Sequence, residues 1–123
     1  MGRTATLESW RLDPTNRAQE VAMLVDTSSC IGCKACEVAC KHWNDNEAVI
    51  EGFTGSYQSH TNLNSHTWTV VKFTEFEQPD SGAFEWLMEK HNCMHCSEAG
   101  CVLACPTNAL QYGDYGVVTL DRE

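Results

Sequence analysis

Cys30-Ile31-Gly32-Cys33-Lys34-Ala35-Cys36-Glu37-Val38-Ala39-Cys40 is the stretch from which the rest of the chain is read. In its C-x2-C-x2-C-x3-C spacing, three closely spaced thiolates on a tight loop can wrap three corners of an iron–sulfur cube. The fourth, a helical turn later, is turned away and needs another cube. Gly32 lets the main chain pass close to inorganic sulfide, where amide N–H groups donate hydrogen bonds. A second run answers the first: Cys93-Met94-His95-Cys96, then Cys101, then Cys105-Pro106. Its extra residues, within Ser97-Glu98-Ala99-Gly100, lengthen one gap and remove no thiol. Pro106 suits the position at which the chain leaves a short cluster helix. The two four-cysteine runs form an internal repeat.

Other uses of eight cysteines in 123 residues fit less well. A disulfide framework suits loop-rich secreted chains, whereas here all eight thiols lie in two short runs. Structural zinc is the stronger rival, because two C-x-x-C pairs can build a tetrahedral site, but it leaves four thiols unexplained. A domain this small buries only a modest core, so whatever the thiols bind matters to its stability. The net charge of −9 disfavours nucleic acid and anionic lipid headgroups as partners. No apolar run approaches the roughly 18 residues of a membrane-spanning helix. Residues 1–8 lack an apolar segment and a twin-arginine pair, so no export signal is expected; the chain is then cytosolic or exported bound to a partner.

Along the chain, residues 1–20 read as an N-terminal arm, with Trp10 and Leu12 as anchors, or else as a plain tail. Residues 21–26 form a short apolar, partly β-branched run that predicts a buried strand feeding the first cysteine loop. From Lys34 to His42 there is no glycine or proline, which predicts a helix with Ala35, Val38 and Ala39 facing the cluster. Trp43-Asn44-Asp45-Asn46 ends it. Residues 47–66 read as a long polar loop anchored by Phe53, Tyr57 and Leu63, lying against a partner or free on the surface. Residues 67–76 and 83–90 are dense in β-branched and aromatic residues and flank the turn Gln78-Pro79-Asp80-Ser81-Gly82, which predicts a β-hairpin. A second hairpin is expected at the end, through the turn Gly113-Asp114-Tyr115-Gly116. The pattern predicts an α+β, ferredoxin-like [4Fe-4S] domain over 21–123, with an insertion over 44–92 that holds a long loop and a β-hairpin.

All eight cysteines, Cys30, Cys33, Cys36, Cys40, Cys93, Cys96, Cys101 and Cys105, are the expected iron ligands. His42, His91 and His95 stand near them, but eight thiols already meet the demand, so these rings are read as supporting or surface groups. Lys34, Lys41 and Lys90 either raise cluster potentials or are simply solvated. Trp68 and Trp86 read as hairpin core. There is no phosphate loop, no nucleophile with its base and no open metal triad, so one-electron transfer is the expected chemistry.

The stretches Val25-Asp26, Cys30 to Cys36, Val38-Ala39-Cys40, Trp43-Asn44-Asp45, Trp68-Thr69-Val70, Glu85-Trp86-Leu87, Cys93-Met94-His95-Cys96, Gly100-Cys101, Ala104-Cys105-Pro106 and Gln111-Tyr112 carry a resemblance. They look like the iron–sulfur (beta) subunit of respiratory formate dehydrogenase, from the four-cluster subunits that serve molybdenum or tungsten bis-pterin oxidoreductases. The resemblance implies a non-catalytic subunit. It would relay electrons from a Mo/W bis-pterin catalytic subunit to a membrane cytochrome b and quinone, or to another acceptor, from the periplasmic face of the inner membrane after export with a signal-bearing partner. A cytoplasmic placement is the alternative.

That family carries four cysteine motifs, and a third would be expected soon after Glu123, so the chain reads as a truncated first half. The resemblance further implies that Cys30, Cys33 and Cys36 serve one cluster and Cys40 its neighbour, with Cys93, Cys96 and Cys101 serving a third and Cys105 a fourth. A self-contained two-cluster ferredoxin is the alternative, with Cys105 completing the first site and Cys40 the second. Another bis-pterin oxidoreductase subunit also remains open, as does a structural zinc module.

Overall fold

A computed structural model describes residues 19–50, 52–53 and 55–121. The expected arm, with Trp10 and Leu12, lies outside the described residues except for its last two positions. The chain divides into two compact units, Leu24–Cys93 and the remainder.

No strand forms over 21–26. These residues are irregular and exposed, Leu24 to 92%. A strand needs a partner ladder, and the main-chain bond recorded here is Val21 N–H to the Tyr115 carbonyl, 3.2 Å. Apolar content without a pairing edge does not make a strand.

Within Leu24–Cys93, the Asp26 carboxylate caps a single 3-10 turn, Thr27–Ser29, accepting from Ser28 N–H at 2.9 Å and from the Ser28 and Ser29 hydroxyls. The first cysteine loop follows, with Gly32 and Lys34 both at left-handed φ (65° and 61°). Helix α1, Ala35–Trp43, begins directly after Lys34 and ends at Asn44, whose N–H and side-chain amide both donate to the Cys40 carbonyl. Strands β1 (Thr69–Glu77) and β2 (Phe84–Asn92) pair antiparallel from Thr69↔Asn92 to Glu77↔Phe84. Burial is confined to the base of this hairpin: Thr67, Thr69, Val70 and Val71 are buried, whereas the tip beyond Phe73 is exposed.

In the other unit, helix α2 is one short stretch, Gly100–Ala104, and it stops before Cys105-Pro106. Cys105 is extended (φ −73°, ψ 109°), as a residue preceding proline must be. Strands β3 (Leu110–Tyr112) and β4 (Val118–Leu120) form the expected terminal hairpin around Asp114–Gly116. Ala99 and Tyr112 are its buried centre, with Val102 and Val118 packed on them. The Tyr112 hydroxyl accepts from Ala99 N–H at 2.6 Å and reaches the Ser97 carbonyl at 3.2 Å. Among the described residues, no helix is long and apolar enough to cross a membrane.

Candidate metal centre

The first cysteine loop rests on the hairpin. Phe73 and Met88 are cross-strand partners, so their side chains share one face of the sheet, and Gly32 sits against both. A Cβ on Gly32 would come 2.6 Å from Met88 Sδ and 2.8 Å from Phe73 Cε1. Only glycine meets both the left-handed φ and the close approach. Trp86 and Tyr57 extend the platform: Tyr57 lies 5.1 Å from Trp86 and 6.0 Å from Phe73, centroid to centroid. Lys34 spans it, with Nζ 5.5 Å from the Phe73 ring centroid and donating to the Tyr57 carbonyl. The sequence places Trp86 in a hairpin core; instead it is part-exposed in this aromatic group. Trp68 is half-buried, its indole N–H donating to the Ser65 carbonyl at 3.1 Å.

Helix α1 buries a polar residue, and the apolar positions expected beside a cluster are exposed. Ala35, Val38 and Ala39 are exposed, Val38 to 68%, and the buried residue is Glu37, 6% exposed. Its carboxylate accepts the main-chain N–H of Val71. One turn on, Lys41 Nζ donates to the carbonyls of His66 (2.7 Å) and Glu47 (3.2 Å) and to Thr67 Oγ1 (3.3 Å). The cause is the edge of a two-stranded sheet, whose outward N–H groups must find acceptors. Val71 finds Glu37, and Phe73, two residues on, finds Gln58 Oε1 at 3.3 Å. Alanine and valine have nothing to offer such an edge. The sequence did not single out Glu37 or Gln58, and it left Lys41 as either a tuner of cluster potential or a solvated cation; the available signal was a Glu–Lys pair four apart on one side of the helix.

The long loop is held by Lys41 and by these hydrogen bonds more than by its aromatic residues. Phe53 is 90% exposed, Leu63 is half-buried, and Tyr57 alone among the three expected anchors joins the platform. His60 is buried, beside a hollow of about 400 Å³ lined by Lys34, Tyr57 and Gln58 among others.

None of the eight cysteines is in a disulfide. Cys30, Cys36, Cys40 and Cys105 are half-buried, and Cys33, Cys93, Cys96 and Cys101 are exposed. Cys93 belongs to the unit that contains the first motif, and Cys96, Cys101 and Cys105 to the other. Among the described residues, no three Cys, His, Asp or Glu side chains converge as a single metal ion would require. Side-chain polar groups stand beside Cys40 and Cys105. The Asn44 amide donates toward Cys40 Sγ at 3.6 Å, and the Thr107 hydroxyl lies 3.4 Å from Cys105 Sγ. Each is the fourth cysteine of its motif. The Thr107 hydrogen bond draws the Cys105 thiol down to about 7, whereas burial pushes Cys36 up. Of the histidines near the cysteines, His95 has left-handed φ and its Nδ1 accepts the Val118 N–H at 3.1 Å. The donor set fits iron–sulfur cubes: reduced, accessible thiols on a loop that a glycine and an αL lysine fold tightly.

A loop of closely spaced thiols on an aromatic platform, repeated as a second cysteine motif, defines an iron–sulfur ligand scaffold. The model of the 4Fe-4S dicluster domain family matches residues 29–109, a region that takes in all eight cysteines. The chain belongs to that family, whose ferredoxin-like domain carries [4Fe-4S] clusters. It is 45% identical over 107 residues to the iron–sulfur subunit of formate dehydrogenase-O from Escherichia coli, covering 85% of this chain and 35% of the relative. The formate dehydrogenase iron–sulfur subunit of Haemophilus influenzae is similar to the same degree, 45% over 107 residues, with 85% of this chain and 33% of the relative covered. The thiosulfate reductase electron transfer subunit of Salmonella typhi is 34% identical over 103 residues, 84% of this chain and 45% of the relative. The chain spans about a third of the length of the formate dehydrogenase relatives it matches.

Proposed function

We propose that this chain is the electron-transfer part of a formate dehydrogenase complex, holding [4Fe-4S] clusters and performing no bond chemistry itself. Cys30, Cys33, Cys36, Cys40, Cys93, Cys96, Cys101 and Cys105 supply the iron ligands. The observation that carries the reading is the coincidence of all eight thiols with the matched dicluster region, in a chain whose relatives at 45% identity are formate dehydrogenase iron–sulfur subunits. Bound cubes supply one-electron exchange. The chain's residues place them: Gly32 brings main chain close, the Phe73–Met88 platform supports the loop, and Asn44 and Thr107 polarise the fourth thiol of each motif.

The β1–β2 hairpin and the loop before it are an insertion over 44–92 into the ferredoxin-like domain over 21–123, with residues 1–20 as an arm. Electrons enter from a Mo/W bis-pterin catalytic subunit and leave to a membrane cytochrome b and quinone, or to another acceptor, at the periplasmic face of the inner membrane. A second reading, service to another oxidoreductase, is favoured by the likeness to a thiosulfate reductase subunit.

Anaerobic purification tests the cofactor. About four iron and four sulfide per cube, with absorption near roughly 400 nm that dithionite bleaches, is expected. A colourless protein that takes up zinc in its place overturns the proposal. Co-purification with a formate-oxidising subunit, against a thiosulfate-reducing one, decides between the two complexes.

A further inference from the structure

The outer half of the β1–β2 hairpin pairs acids with aromatic rings. Three successive cross-strand pairs do so: Glu75↔Trp86, Phe76↔Glu85 and Glu77↔Phe84. Cross-strand partners project to one face of a sheet, so two of these pairs share the face of Phe73 and Met88, and Phe76–Glu85 lies on the other. All six residues are exposed, Phe84 to 72% and Phe76 to 43%. Residues 74–87 hold a further acid, Asp80, and no Lys, Arg or His.

Within the hairpin itself such pairs are a poor arrangement. A carboxylate gains nothing from the face of a ring, whose quadrupole is negative there, and the rings stay in water. Charges that only guard a sheet edge against aggregation are most often lysines and need no exposed rings beside them. A cation, by contrast, is attracted by both members of each pair, by the carboxylate through its charge and by the ring through its π face. The chain already uses the second attraction at Phe73, where Lys34 Nζ stands 5.5 Å from the ring centroid. Exposed aromatic side chains are also the usual anchors of a protein interface.

We propose that this hairpin tip is a docking finger for an arginine- and lysine-bearing face of the formate-oxidising subunit, each acid–aromatic pair receiving one guanidinium or ammonium group. The inference rests on the complex proposed above and adds to it the contact that holds one partner.

Charge selects among the possible occupants. A second copy of this chain would set four acids against the same four acids. Anionic lipid headgroups repel them too, which directs the finger away from a membrane surface and toward the catalytic subunit. The net charge of −9 also draws a cationic face from a distance. The finger is partly preorganised, since the Gln78 amide donates to the Glu85 carboxylate and Trp86 is braced by Tyr57 and Phe73 at 5.1 and 6.5 Å between centroids.

The test measures binding of the cluster-loaded chain, purified anaerobically, to the purified formate-oxidising subunit. Two double variants are compared with wild type: Phe76→Ala with Phe84→Ala, and Glu75→Gln with Glu77→Gln. Trp86 is left in place because it packs on Tyr57 and Phe73. Each double variant is expected to bind about tenfold more weakly or worse. Wild-type affinity should fall as salt is raised, and the glutamine variant should lose part of that dependence. Iron content and thermal midpoint of both variants stay near wild type, because the altered side chains are exposed. Wild-type affinity in both variants, or weak binding accompanied by lost iron, overturns the inference. So does a wild-type chain that forms a dimer which the same substitutions break. A wild-type chain that does not bind the formate-oxidising subunit at all overturns the complex reading, and this inference with it.

Discussion

The Glu37 carboxylate on α1 accepts the main-chain N–H of Val71 on β1, with both residues buried. This bond ties the helix that carries Cys36 and Cys40 to the hairpin. Replacing Glu37 by leucine leaves the Val71 N–H without an acceptor, at a cost of about 1–3 kcal/mol. Chemical denaturation is expected to show that loss for Glu37→Leu and much less for Glu37→Gln. Equal stability of the two would remove the edge-capping account.

Gly32→Ala introduces a methyl group where Met88 Sδ and the Phe73 ring already stand, on a residue with φ of 65°. The left-handed backbone alone costs about 1–2 kcal/mol for an L-residue, and the overlap adds to it. Iron bound per chain is expected to fall in this variant. Met88→Ala in the same background relieves part of the overlap and should recover part of the iron. A Gly32→Ala protein with full iron content would speak against close seating of the loop.

Lys41 holds the loop by three hydrogen bonds from one ammonium group. Hydrogen bonds to charged groups contribute about 1.5–3 kcal/mol. Lys41→Met is therefore expected to speed amide exchange across residues 47–67 by about tenfold or more, with β2 little affected. Exchange unchanged in the loop would return Lys41 to the status of a solvated cation.

Tyr112→Phe removes the oxygen that accepts from the buried Ala99 N–H and reaches the Ser97 carbonyl. The ring still fills its place beside Val102 and Val118, so the loss is that of one buried hydrogen bond, about 1–3 kcal/mol. Urea unfolding measures it, and a neutral substitution would contradict the pairing.

In cluster-free chain the two motifs should differ in thiol reactivity. The thiolate is the nucleophile, and a depressed pKa makes it available at lower pH. With Cys105 near 7, about half of it is ionised at pH 7, whereas Cys36, pushed upward by burial, is ionised only at higher pH. Iodoacetamide mapping between pH 7 and 8 is expected to label Cys105 before Cys36. Thr107→Val, which removes the hydrogen bond to Cys105 Sγ, should slow Cys105 specifically.

Helix α1, the β1–β2 hairpin, the terminal hairpin and the stop of α2 before Pro106 were all legible in the chain. Each depends on local chemistry: uninterrupted helix formers, β-branched runs about a Pro-Gly turn, and a proline that bars further helix. The strand over 21–26 was misread because a short apolar run specifies no partner, and none of the paired strands takes it up. The burial of Glu37 was not legible for a related reason: nothing in the local pattern says that the surface α1 meets is a sheet edge with N–H groups to satisfy.

Cysteine spacing alone pointed to the class of cofactor that the family match bears out, because the reach between thiols along a tight loop is bounded by covalent geometry. Tertiary structure decided what surrounds those thiols: Gly32 on Met88 and Phe73, Lys41 on three oxygens, Glu37 on Val71. Apart from the Lys41 bond to Glu47, six positions on, such contacts join residues 25 to 56 positions apart, and no local pattern encodes them. They form only when the strand edge, with its unmet hydrogen-bonding groups, is brought against the helix.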